Sequence, residues 1–599
     1  MVIFMDEINL FQKKMQDNEL DAYIIPTSDY HMSEYVSDFF KSRAYLSGFT
    51  GSAGTLVVTK EKAYLWTDGR YFIQAAMQIE GKPIELMKMG QPDVPTINDF
   101  LAEYFNKEEN NNLGFDGKVM STSDVLKLKE KLPSKVKFIT NIDLVNLLWS
   151  NRPDLPWSLI YKLSRYFSGK SYSDKIKSVR AYLEENKLDY LVLSSLEDQA
   201  WLYNLRANDV NHTPVFLAFS VITAQNVILF TDNKKVDLTV EKYLNENEIT
   251  LKEYNEIYDY LRTIKEKKIQ INFNKANYEL YNALVGRDNV IINKEDPTLL
   301  MKAIKNPTEI KNIKTAHERD AVAMVKFMYY LKTNFGKTEM TEISLSDYLE
   351  KLRRKNKGFV DLSFNTICAF NEHGAMMHYS ATKETDAKIE KGGFLLVDSG
   401  GHYMEGTTDI TRTFALGKIT DKMKTHFTTV LKSVIALDQA VFMKGCSGLN
   451  LDILARGPIW KLGLDYKCGT GHGVGYLLSV HEAPNGFRWK VVPERNDSHE
   501  LVPGMVTTDE PGIYLENKYG IRTENELLCI EKESNEWGTF YGFETITYCP
   551  IDLDAIKTTM LSKEEKEWLN DYHQKVYDIV SPSLTPEEQE WLKEYTKKI

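Results

Sequence analysis

Residues 393–414 read GFLLVDSGGHYMEGTTDITRTF and contain two strand patterns, each with an aspartate beside it. The apolar run Phe394–Val397 leads into Asp398, and the β-branched run that follows contains Asp409. Such runs are typical of β-strands, and pairing them as a hairpin brings the two carboxylates together. Carboxylates that close repel each other, so one stays protonated unless a cation lies between them. Taken alone, Asp398 is as compatible with a turn-forming residue at a strand end, before Ser399–Gly401, as it is with a functional residue.

A glycine-flanked histidine follows further along the chain, at His472 within Gly469–Gly475. Glycines allow unusual backbone angles and a close approach of a ligand, which suits a metal-binding histidine. A phosphate-binding loop is excluded, because no Lys-Ser or Lys-Thr pair follows and the spacing fits neither phosphate-binding fingerprint. A lone histidine is more often structural, so the interpretation of His472 depends on the acids around it.

Two glutamates lie in the strand patterns that come next. Glu510 precedes a Pro-Gly turn signal, so we expect it at the end of a strand. Residues 520–528 read as the return strand, in which alternation places Arg522, Glu524 and Glu526 on one face. Glu524 is also compatible with a surface carboxylate that pairs with Arg522.

Four acids and one histidine together indicate a centre for two divalent cations. The predicted metal ligands are Asp398, Asp409, His472, Glu510 and Glu524. Arg412 and Arg522 alone cannot neutralise four buried carboxylates. Four oxygen ligands and one imidazole favour Mn²⁺, Co²⁺ or Fe²⁺, with Zn²⁺ as an alternative, and the lack of thiolates disfavours a structural zinc site. Two such cations lower the pKa of a bridging water and hold the reacting oxygens.

The composition excludes several classes of protein. A length of 599 residues predicts two to four domains, and 43% hydrophobic residues exclude a disordered or fibrous chain. The net charge of −11 argues against nucleic acid as the main partner. No run of residues is long and apolar enough for a membrane span, and Asp6 and Glu7 interrupt any secretory leader. The five scattered cysteines argue against a disulfide framework, so the predicted location is the cytoplasm.

An internal repeat indicates that an α/β domain is duplicated in the N-terminal half. Asp21–Ile25 resembles Asp189–Leu193, and Leu65–Asp68 resembles Leu229–Asp232. Offsets of this length are typical of a whole duplicated domain and not of a solenoid. The predicted domains are residues 1–150, 151–305 and 306–599.

The third predicted domain opens with the helix signal Asn306–Glu309, in which Thr308 is the expected N-cap. His317 lies on this helix and is interpreted as a surface or packing histidine. Residues 560–599 read as charged helices, whose charged faces are solvated or support a dimer.

With these motifs the sequence resembles the creatinase/prolidase-like pita-bread metallopeptidases of family M24, and among them the three-domain Xaa-Pro aminopeptidases. The matching stretches are residues 45–54, 66–71, 397–400, 408–413, 471–475, 509–512, 522–525, 541–545 and 549–552. The resemblance implies an α/β and α+β fold, with two creatinase-like N-terminal α/β domains and a C-terminal pita-bread catalytic domain. It implies a homodimeric metalloaminopeptidase whose substrates are peptides with proline at the second position. The bond before that proline is hydrolysed by a hydroxide that bridges two divalent metals, with Mn²⁺ the expected ion.

The resemblance also implies a role for each metal ligand. Asp398 would bind one metal through both carboxylate oxygens. Asp409 and Glu524 would bridge the two metals, and His472 and Glu510 would complete the second one.

Further roles follow from the same resemblance. His378 would stabilise the tetrahedral intermediate and His481 would contact the substrate backbone, since both can donate to a developing oxyanion. Glu510 would shuttle the proton. Arg70 is equally compatible with a substrate contact and with packing inside its own domain. Many relatives have a histidine four residues before the metal-binding one, where this chain has Cys468, and a thiol is a poorer proton carrier and donor.

Two alternatives remain at this stage. A prolidase-type dipeptidase has the same chemistry, but the number of domains and the match in the first domain favour the aminopeptidase. A non-catalytic pita-bread module that binds peptides or proteins is disfavoured, because all five ligand positions are filled.

Overall fold

The structure is a computed structural model that describes residues 7–107, 111–390, 392–492 and 495–599. The chain forms two compact units. The first contains the residues up to Leu163 together with Lys170–Thr298, and the second contains Ser164–Gly169 together with the residues from Leu299 onward. Asp6, on which the prediction of no leader partly rests, lies outside the described residues.

The first unit contains two six-stranded sheets. Strands of the first sheet are β1 (Ala22–Pro26), β2 (Thr55–Thr59), β3 (Ala63–Thr67), β4 (Ile84–Lys88), β5 (Asn112–Gly114) and β6 (Lys137–Ile139). They lie in the order β4-β3-β2-β1-β5-β6. The helices of this part are α1 (Glu7–Asp17), α2 (Ser42–Ser47), α3 (Phe72–Gln78), α4 (Ile97–Phe105) and α5 (Thr122–Lys131). Both faces of the sheet are covered, so β1 and β2 are almost continuously buried.

The second sheet repeats this topology. The strands of residues 161–293 are β7 (Tyr161–Lys162), β8 (Tyr190–Leu193), β9 (Leu205–Arg206), β10 (Phe219–Ile222), β11 (Val227–Phe230), β12 (Ile249–Lys252), β13 (Lys268–Ile271) and β14 (Val290–Asn293). Six of them form a sheet in the order β12-β11-β10-β8-β13-β14. β8 takes the place of β1 and β11 that of β3, which confirms the predicted duplication. One helix of this stretch, α6 (Arg165–Ser168), belongs to the second unit. The helices beside the second sheet are α7 (Tyr172–Glu185), α8 (Leu196–Tyr203), α9 (Leu238–Glu246), α10 (Glu256–Arg262) and α11 (Tyr278–Leu284), and α12 (Pro297–Ala303) runs from the first unit into the second.

The second unit combines antiparallel sheets with long helices. Its strands are β15 (Phe359–Leu362), β16 (Ile367–Phe370), β17 (Gly393–Ser399), β18 (Gly401–Tyr403), β19 (Gly406–Thr407), β20 (Ile410–Leu416), β21 (Val441–Met443), β22 (Gly471–Gly473), β23 (Glu482–Phe487), β24 (Val506–Asp509), β25 (Gly512–Leu515), β26 (Tyr519–Arg522), β27 (Asn525–Asn535) and β28 (Gly538–Thr545). Its largest sheet has the order β21-β28-β27-β24-β22-β23, and a smaller one has the order β16-β17-β20.

From residue 307 onward, the helices of this unit pack against those sheets. They are α13 (Pro307–Asn334), α14 (Glu342–Arg353), α15 (Asp421–Asp438), α16 (Gly448–Trp460), α17 (Lys563–Val580) and α18 (Pro586–Tyr595). Val325 of α13, Phe427 of α15 and Leu569 of α17 meet in one buried apolar cluster, which holds the three helices together. None of the helices in the described part of the chain combines the length and apolar character that a bilayer crossing requires.

The start of α13 differs by two residues from the prediction. Asn306, and not Thr308, is the N-cap, and its side chain accepts hydrogen bonds from the backbone of Thr308 and Glu309. The Glu309 carboxylate accepts in return from the Asn306 backbone, which completes a capping box. Pro307 has no N–H to donate and its fixed φ suits the first helical position, so the cap precedes it.

Candidate metal centre

Asp398 and Asp409 meet at the hairpin that the sequence predicts. β17 and β20 pair antiparallel with Asp398 opposite Thr411, and Asp409 directly precedes β20. The two aspartates are 8% and 4% exposed. The hairpin therefore brings two carboxylates together away from bulk water.

The other predicted ligands surround this hairpin. Ligand atoms of Asp409, His472 and Glu524 all lie within 4.8 Å of one another. His472 Nε2 lies 3.5 Å from Asp409 Oδ2 and 3.5 Å from Glu510 Oε1. The five side chains thus converge from the 398–409 hairpin, the histidine loop and the two glutamate segments.

One arginine lies between the carboxylates of Asp398 and Glu510. Arg522 donates from Nη2 to Asp398 Oδ2, and its Nε lies 4.0 Å from Glu510 Oε2. Nε donates to Thr411 Oγ1 at 3.0 Å, and Nη1 donates to the Tyr514 hydroxyl at 2.7 Å. A single guanidinium supplies one positive charge and leaves the group strongly acidic.

The electrostatics of the group fit divalent cations. Burial raises the pKa of Asp409 and Glu524 well above the usual range, and repulsion by the neighbouring carboxylates adds to the effect. Asp398 Oδ1 and Asp409 Oδ1 are buried and have no hydrogen-bond partner. Carboxylate oxygens that face other acids without a donor are satisfied by a cation. Four carboxylates and one imidazole, with no thiolate, suit Mn²⁺, Co²⁺, Fe²⁺ or Zn²⁺.

The prediction of one continuous return strand over residues 520–528 is wrong, because this segment forms two strands. β26 ends at Arg522 and β27 begins at Asn525, and Glu524 lies in the break between them. The break is held from β20, where the Thr411 carbonyl accepts from the Glu524 backbone and the Thr411 hydroxyl donates to Glu524 Oε2 at 2.7 Å. Glu524 is 1% exposed, which excludes the alternative of a surface carboxylate.

The histidine loop is fixed by close backbone packing. His472 lies in β22, and its Nδ1 is 2.9 Å from the Gly473 carbonyl, which leaves Nε2 facing the carboxylates. A Cβ on Gly471 would lie 1.8 Å from the Thr508 carbonyl, so only glycine fits this position. The Glu510 backbone donates to the Thr470 carbonyl at 2.7 Å, which joins the loop to the segment that contains Glu510.

One further acid beside the predicted ligands, Glu526, was not assigned a role from the sequence. Glu526 is fully buried and its Oε1 accepts from the Asp409 backbone at 2.7 Å. Its Oε2 lies 3.1 Å from His317 Nε2, so His317 is a packing histidine buried behind the centre and not a surface one. The predicted alternation already placed Glu526 on the same face as Glu524, and that was the available signal.

Of the two histidines predicted to bind substrate, His481 contacts a predicted metal ligand, and His378 lies next to a residue that contacts Arg522. The His481 ring packs edge-on against the His472 ring, with centroids 4.3 Å apart. His378 is half-buried and follows Met377, whose carbonyl is 3.5 Å from Arg522 Nη2. Their roles remain predictions.

Arg70 and Cys468 are held by other contacts. Arg70 lies in the first unit and donates from Nε and Nη2 to the Asp68 carboxylate at 2.9 and 2.8 Å. Its guanidinium is thus engaged within its own unit, and its role in substrate binding remains a prediction. Burial raises the pKa of the Cys468 thiol to about 11, so the thiol stays protonated near neutral pH. The Cys468 carbonyl accepts from Arg456 of α16 at 3.1 Å.

Comparison with protein families matches almost the whole chain. Residues 311–531 match the model of metallopeptidase family M24, and residues 539–599 match the C-terminal region of the same peptidases. Residues 8–148 and 151–309 each match a creatinase/prolidase N-terminal domain.

Two known proteins resemble the chain over nearly its whole length, and a third resembles part of it. "Probable Xaa-Pro aminopeptidase P" of Laccaria bicolor is 38% identical over 585 residues, covering 95% of this chain and 89% of that protein. The X-prolyl aminopeptidase of Caenorhabditis elegans, described as a cytosolic enzyme with a di-nuclear active site, has a similar structure with a TM-score of 0.91 and 33% identity. That similarity covers 97% of this chain and 95% of the C. elegans chain. The Xaa-Pro dipeptidase of Bacillus anthracis has a TM-score of 0.51 and 26% identity, and covers only 64% of this chain.

Proposed function

The chain belongs to metallopeptidase family M24, in its Xaa-Pro aminopeptidase branch, and on that premise we propose that it removes the N-terminal residue from peptides whose second residue is proline. The observation that carries the proposal is the group of Asp409, His472 and Glu524, whose two acids are buried and whose ligand atoms lie within 4.8 Å of one another. Full-length similarity to Xaa-Pro aminopeptidases supports the same reaction.

Each ligand has a proposed part in the centre. Asp398 would bind one divalent ion, Asp409 and Glu524 would hold both ions, and His472 and Glu510 would complete the second. The contacts of His472 Nε2 with Asp409 and Glu510 support this division. When bound, two divalent ions supply charge neutralisation and a nucleophilic water of lowered pKa. We propose Mn²⁺ as the ion, supported by the oxygen-rich donor set.

The residues around the centre would handle the substrate. Glu510 is 20% exposed at its side chain and would take and return the proton of the reaction. His378 and His481 would donate hydrogen bonds to the substrate, since both are half-buried beside the centre. A proline after the scissile bond makes that bond a tertiary amide, which has no N–H to donate. Arg70 is proposed as a further substrate contact.

Organisation and location follow from the relatives. We propose the domains 1–150, 151–305 and 306–599, in line with the separate family matches to each part. We propose a cytoplasmic location, supported by the C. elegans enzyme, which is described as cytosolic.

Two matched peptides test the proposed reaction. With added Mn²⁺, Arg-Pro-Pro is expected to lose its N-terminal arginine at least about 100-fold faster than Arg-Ala-Ala, because a site shaped for the ring discriminates in the transition state. A chelator and Asp398→Ala are each expected to abolish the reaction. Release of the arginine is followed by chromatography. Equal cleavage of both peptides would contradict proline selectivity, and cleavage in the presence of chelator would contradict the metal centre.

The dipeptidase alternative is less well supported. The B. anthracis dipeptidase covers only 64% of this chain, whereas the C. elegans aminopeptidase covers 97%. A dipeptidase would cleave Arg-Pro faster than Arg-Pro-Pro, so adding the dipeptide to the same assay separates the two activities. A non-catalytic binding module would not bind Mn²⁺, and it would not cleave any of the three peptides.

We also propose a homodimer that forms through the outer face of α16. That face and the segment beside it expose the apolar side chains Leu449, Ile453, Leu454, Trp460, Trp489 and Val491. The rings of Trp460 and Trp489 have centroids 6.1 Å apart, and exposed apolar side chains grouped in this way mark an association site. Ile453 is 48% exposed, so a charge placed there disturbs the surface and not the core.

Ile453→Glu is therefore expected to convert the dimer into a monomer, measured by light scattering after gel filtration. Leu238→Glu is the matched control, because Leu238 is 84% exposed on α9 of the first unit. The control should remain dimeric. A wild-type protein that is monomeric at working concentration, or an Ile453→Glu variant that stays dimeric, would contradict this interface.

A further inference from the structure

A short loop carries His378 from the end of β16 toward the centre. We call residues 371–379 the His378 loop; it begins with a 3-10 helix at Asn371–Ala375. On one side the loop packs against β26, where a Cβ on Gly520 would lie 1.7 Å from the Gly374 carbonyl. Met377, next to His378, contacts Arg522 through its carbonyl. The inner side of the loop is thus held against β26, the strand that ends at Arg522.

The outer side of the loop is fixed by one carboxylate, that of Glu342 at the start of α14. Glu342 is fully buried, and four groups from the segments around the loop donate to it. The donors are the Phe370 backbone at 2.7 Å, His373 Nδ1 at 2.9 and 3.0 Å, the Tyr379 hydroxyl at 2.9 Å and the Ala387 backbone at 3.1 Å. Both carboxylate oxygens are therefore used, and all four donors lie between residues 370 and 387.

Two of these donors belong to the His378 loop. His373 and Tyr379 also pack on each other, with ring centroids 4.5 Å apart. Tyr379 is covalently adjacent to His378, so the position of its ring sets where the His378 backbone lies. The Tyr379 hydroxyl is further fixed by Thr385, at 3.1 Å from its Oγ1 and 3.2 Å from its carbonyl.

The contact between Glu342 and His373 is an ion pair when the imidazole is protonated. The hydrogen bond and charge of Glu342 raise the pKa of His373 above its ordinary value, with a smaller contribution from Glu372. The other titratable groups at this place are the buried Cys368 thiol of β16, the Tyr379 hydroxyl and Asp386, and from β26 Arg522 reaches the loop at Met377.

We propose that Glu342 is a positioning residue that holds the His378 loop in its substrate-binding conformation, through its contacts with His373 and Tyr379. The inference rests on the proposed function, because it takes His378 as a substrate contact. Glu342 does not touch the reacting atoms. It acts by fixing the distance between His378 and the substrate, and a displacement of about 1 Å at such a group lowers the rate by up to about 100-fold.

A double-mutant cycle tests whether Glu342 acts through His378. Glu342→Gln keeps the shape of the side chain but removes the charge that pairs with His373. We expect it to lower kcat/KM for Arg-Pro-Pro by about tenfold, since a charge-assisted hydrogen bond is lost. In a His378→Ala background the same substitution should change kcat/KM by less than about twofold, because the group that Glu342 positions is absent. Bound metal, measured by elemental analysis, should stay at the wild-type level.

The pH dependence supplies a second readout that a merely structural role would not move. Because the pair raises the pKa of His373, its contribution is fully present below the ordinary pKa of histidine and is lost as the pH rises through the folded-state value. The ratio of wild-type to Glu342→Gln activity should therefore shrink toward alkaline pH. Titration of any other group at the centre affects both proteins and cancels in the ratio.

Controls separate this inference from the proposed function. Glu339→Gln removes a carboxylate three residues upstream that pairs on the surface with Lys388, and it should leave activity unchanged. Tyr379→Phe removes one donor to Glu342 without burying a new polar group, and it covers the case in which Glu342→Gln does not fold; it should lower kcat/KM about threefold, again only when His378 is present. Equal losses with and without His378, or no loss at all, would overturn the inference. Full activity of His378→Ala would overturn the role of His378 itself, and the inference with it, while leaving the peptide-selectivity result intact.

Discussion

Replacing Glu524 with glutamine is expected to lower kcat for Arg-Pro-Pro by on the order of 10³-fold, at least the loss that follows removal of one donor to a developing oxyanion. Glu524 lies in the break between β26 and β27, and its ligand atom is within 4.8 Å of those of both Asp409 and His472. A ligand in the middle of the group serves both proposed metal positions. Glutamine keeps the shape but removes the negative charge that compensates the two cations.

Metal content should fall together with activity in this variant. Elemental analysis after gel filtration is expected to show less than the wild-type amount of Mn²⁺, and Asp409→Asn should behave in the same way. Glu533→Gln is the matched control, because Glu533 lies on the exposed part of β27, the strand that begins directly after Glu524. It should retain wild-type activity and metal. Wild-type rates in Glu524→Gln with full metal content would contradict the assignment of Glu524 as a shared ligand.

Local patterns were enough to predict the hairpin and the side chains that gather around it. The apolar run before Asp398 and the β-branched run around Thr411 form β17 and β20, because each run contains its own strand signal. The glycines around His472 similarly reported a place where backbone segments approach closely. Such patterns involve only a few neighbouring residues, so they can be recognised in the sequence without knowledge of the fold.

Features that depend on distant partners could not be predicted in this way. Glu526 accepts from the Asp409 backbone across 117 residues of chain, and Glu342 accepts from segments 28 to 45 residues away. Nothing in the sequence near either glutamate specifies those donors. The break in the predicted return strand has the same origin, because the hydrogen bond from the Glu524 backbone to Thr411 replaces a regular ladder contact. Tertiary contacts thus override the period-2 pattern at Glu524.

Arg412 is the strongest example of such a distant contact. It is 1% exposed, and its guanidinium donates to the Glu524 carbonyl at 2.5 Å, to Asn525 Oδ1 at 2.9 Å and to the Tyr572 hydroxyl at 2.7 Å. It also donates to the Cys549 carbonyl at 2.9 Å. One side chain therefore joins the hairpin, the glutamate segment and the C-terminal helix α17. The position of Glu524 depends on residues far beyond the family's ligand motifs.

Arg412→Met is accordingly expected to lower the free energy of unfolding by about 3–5 kcal/mol, because several buried oxygen acceptors lose their donor while an apolar chain of similar length fills the space. Unfolding in urea, followed by tryptophan fluorescence, is measured with chelator present so that weaker metal binding does not contribute. Arg354→Met is the matched control: its side chain is 54% exposed and pairs with Glu350 one turn away, so the change should stay within about 0.5 kcal/mol. An Arg412 variant as stable as this control would mean that backbone and packing contacts alone hold α17 to the glutamate segment. A large loss confined to Arg412 would instead make the C-terminal helix part of the structure that places Glu524.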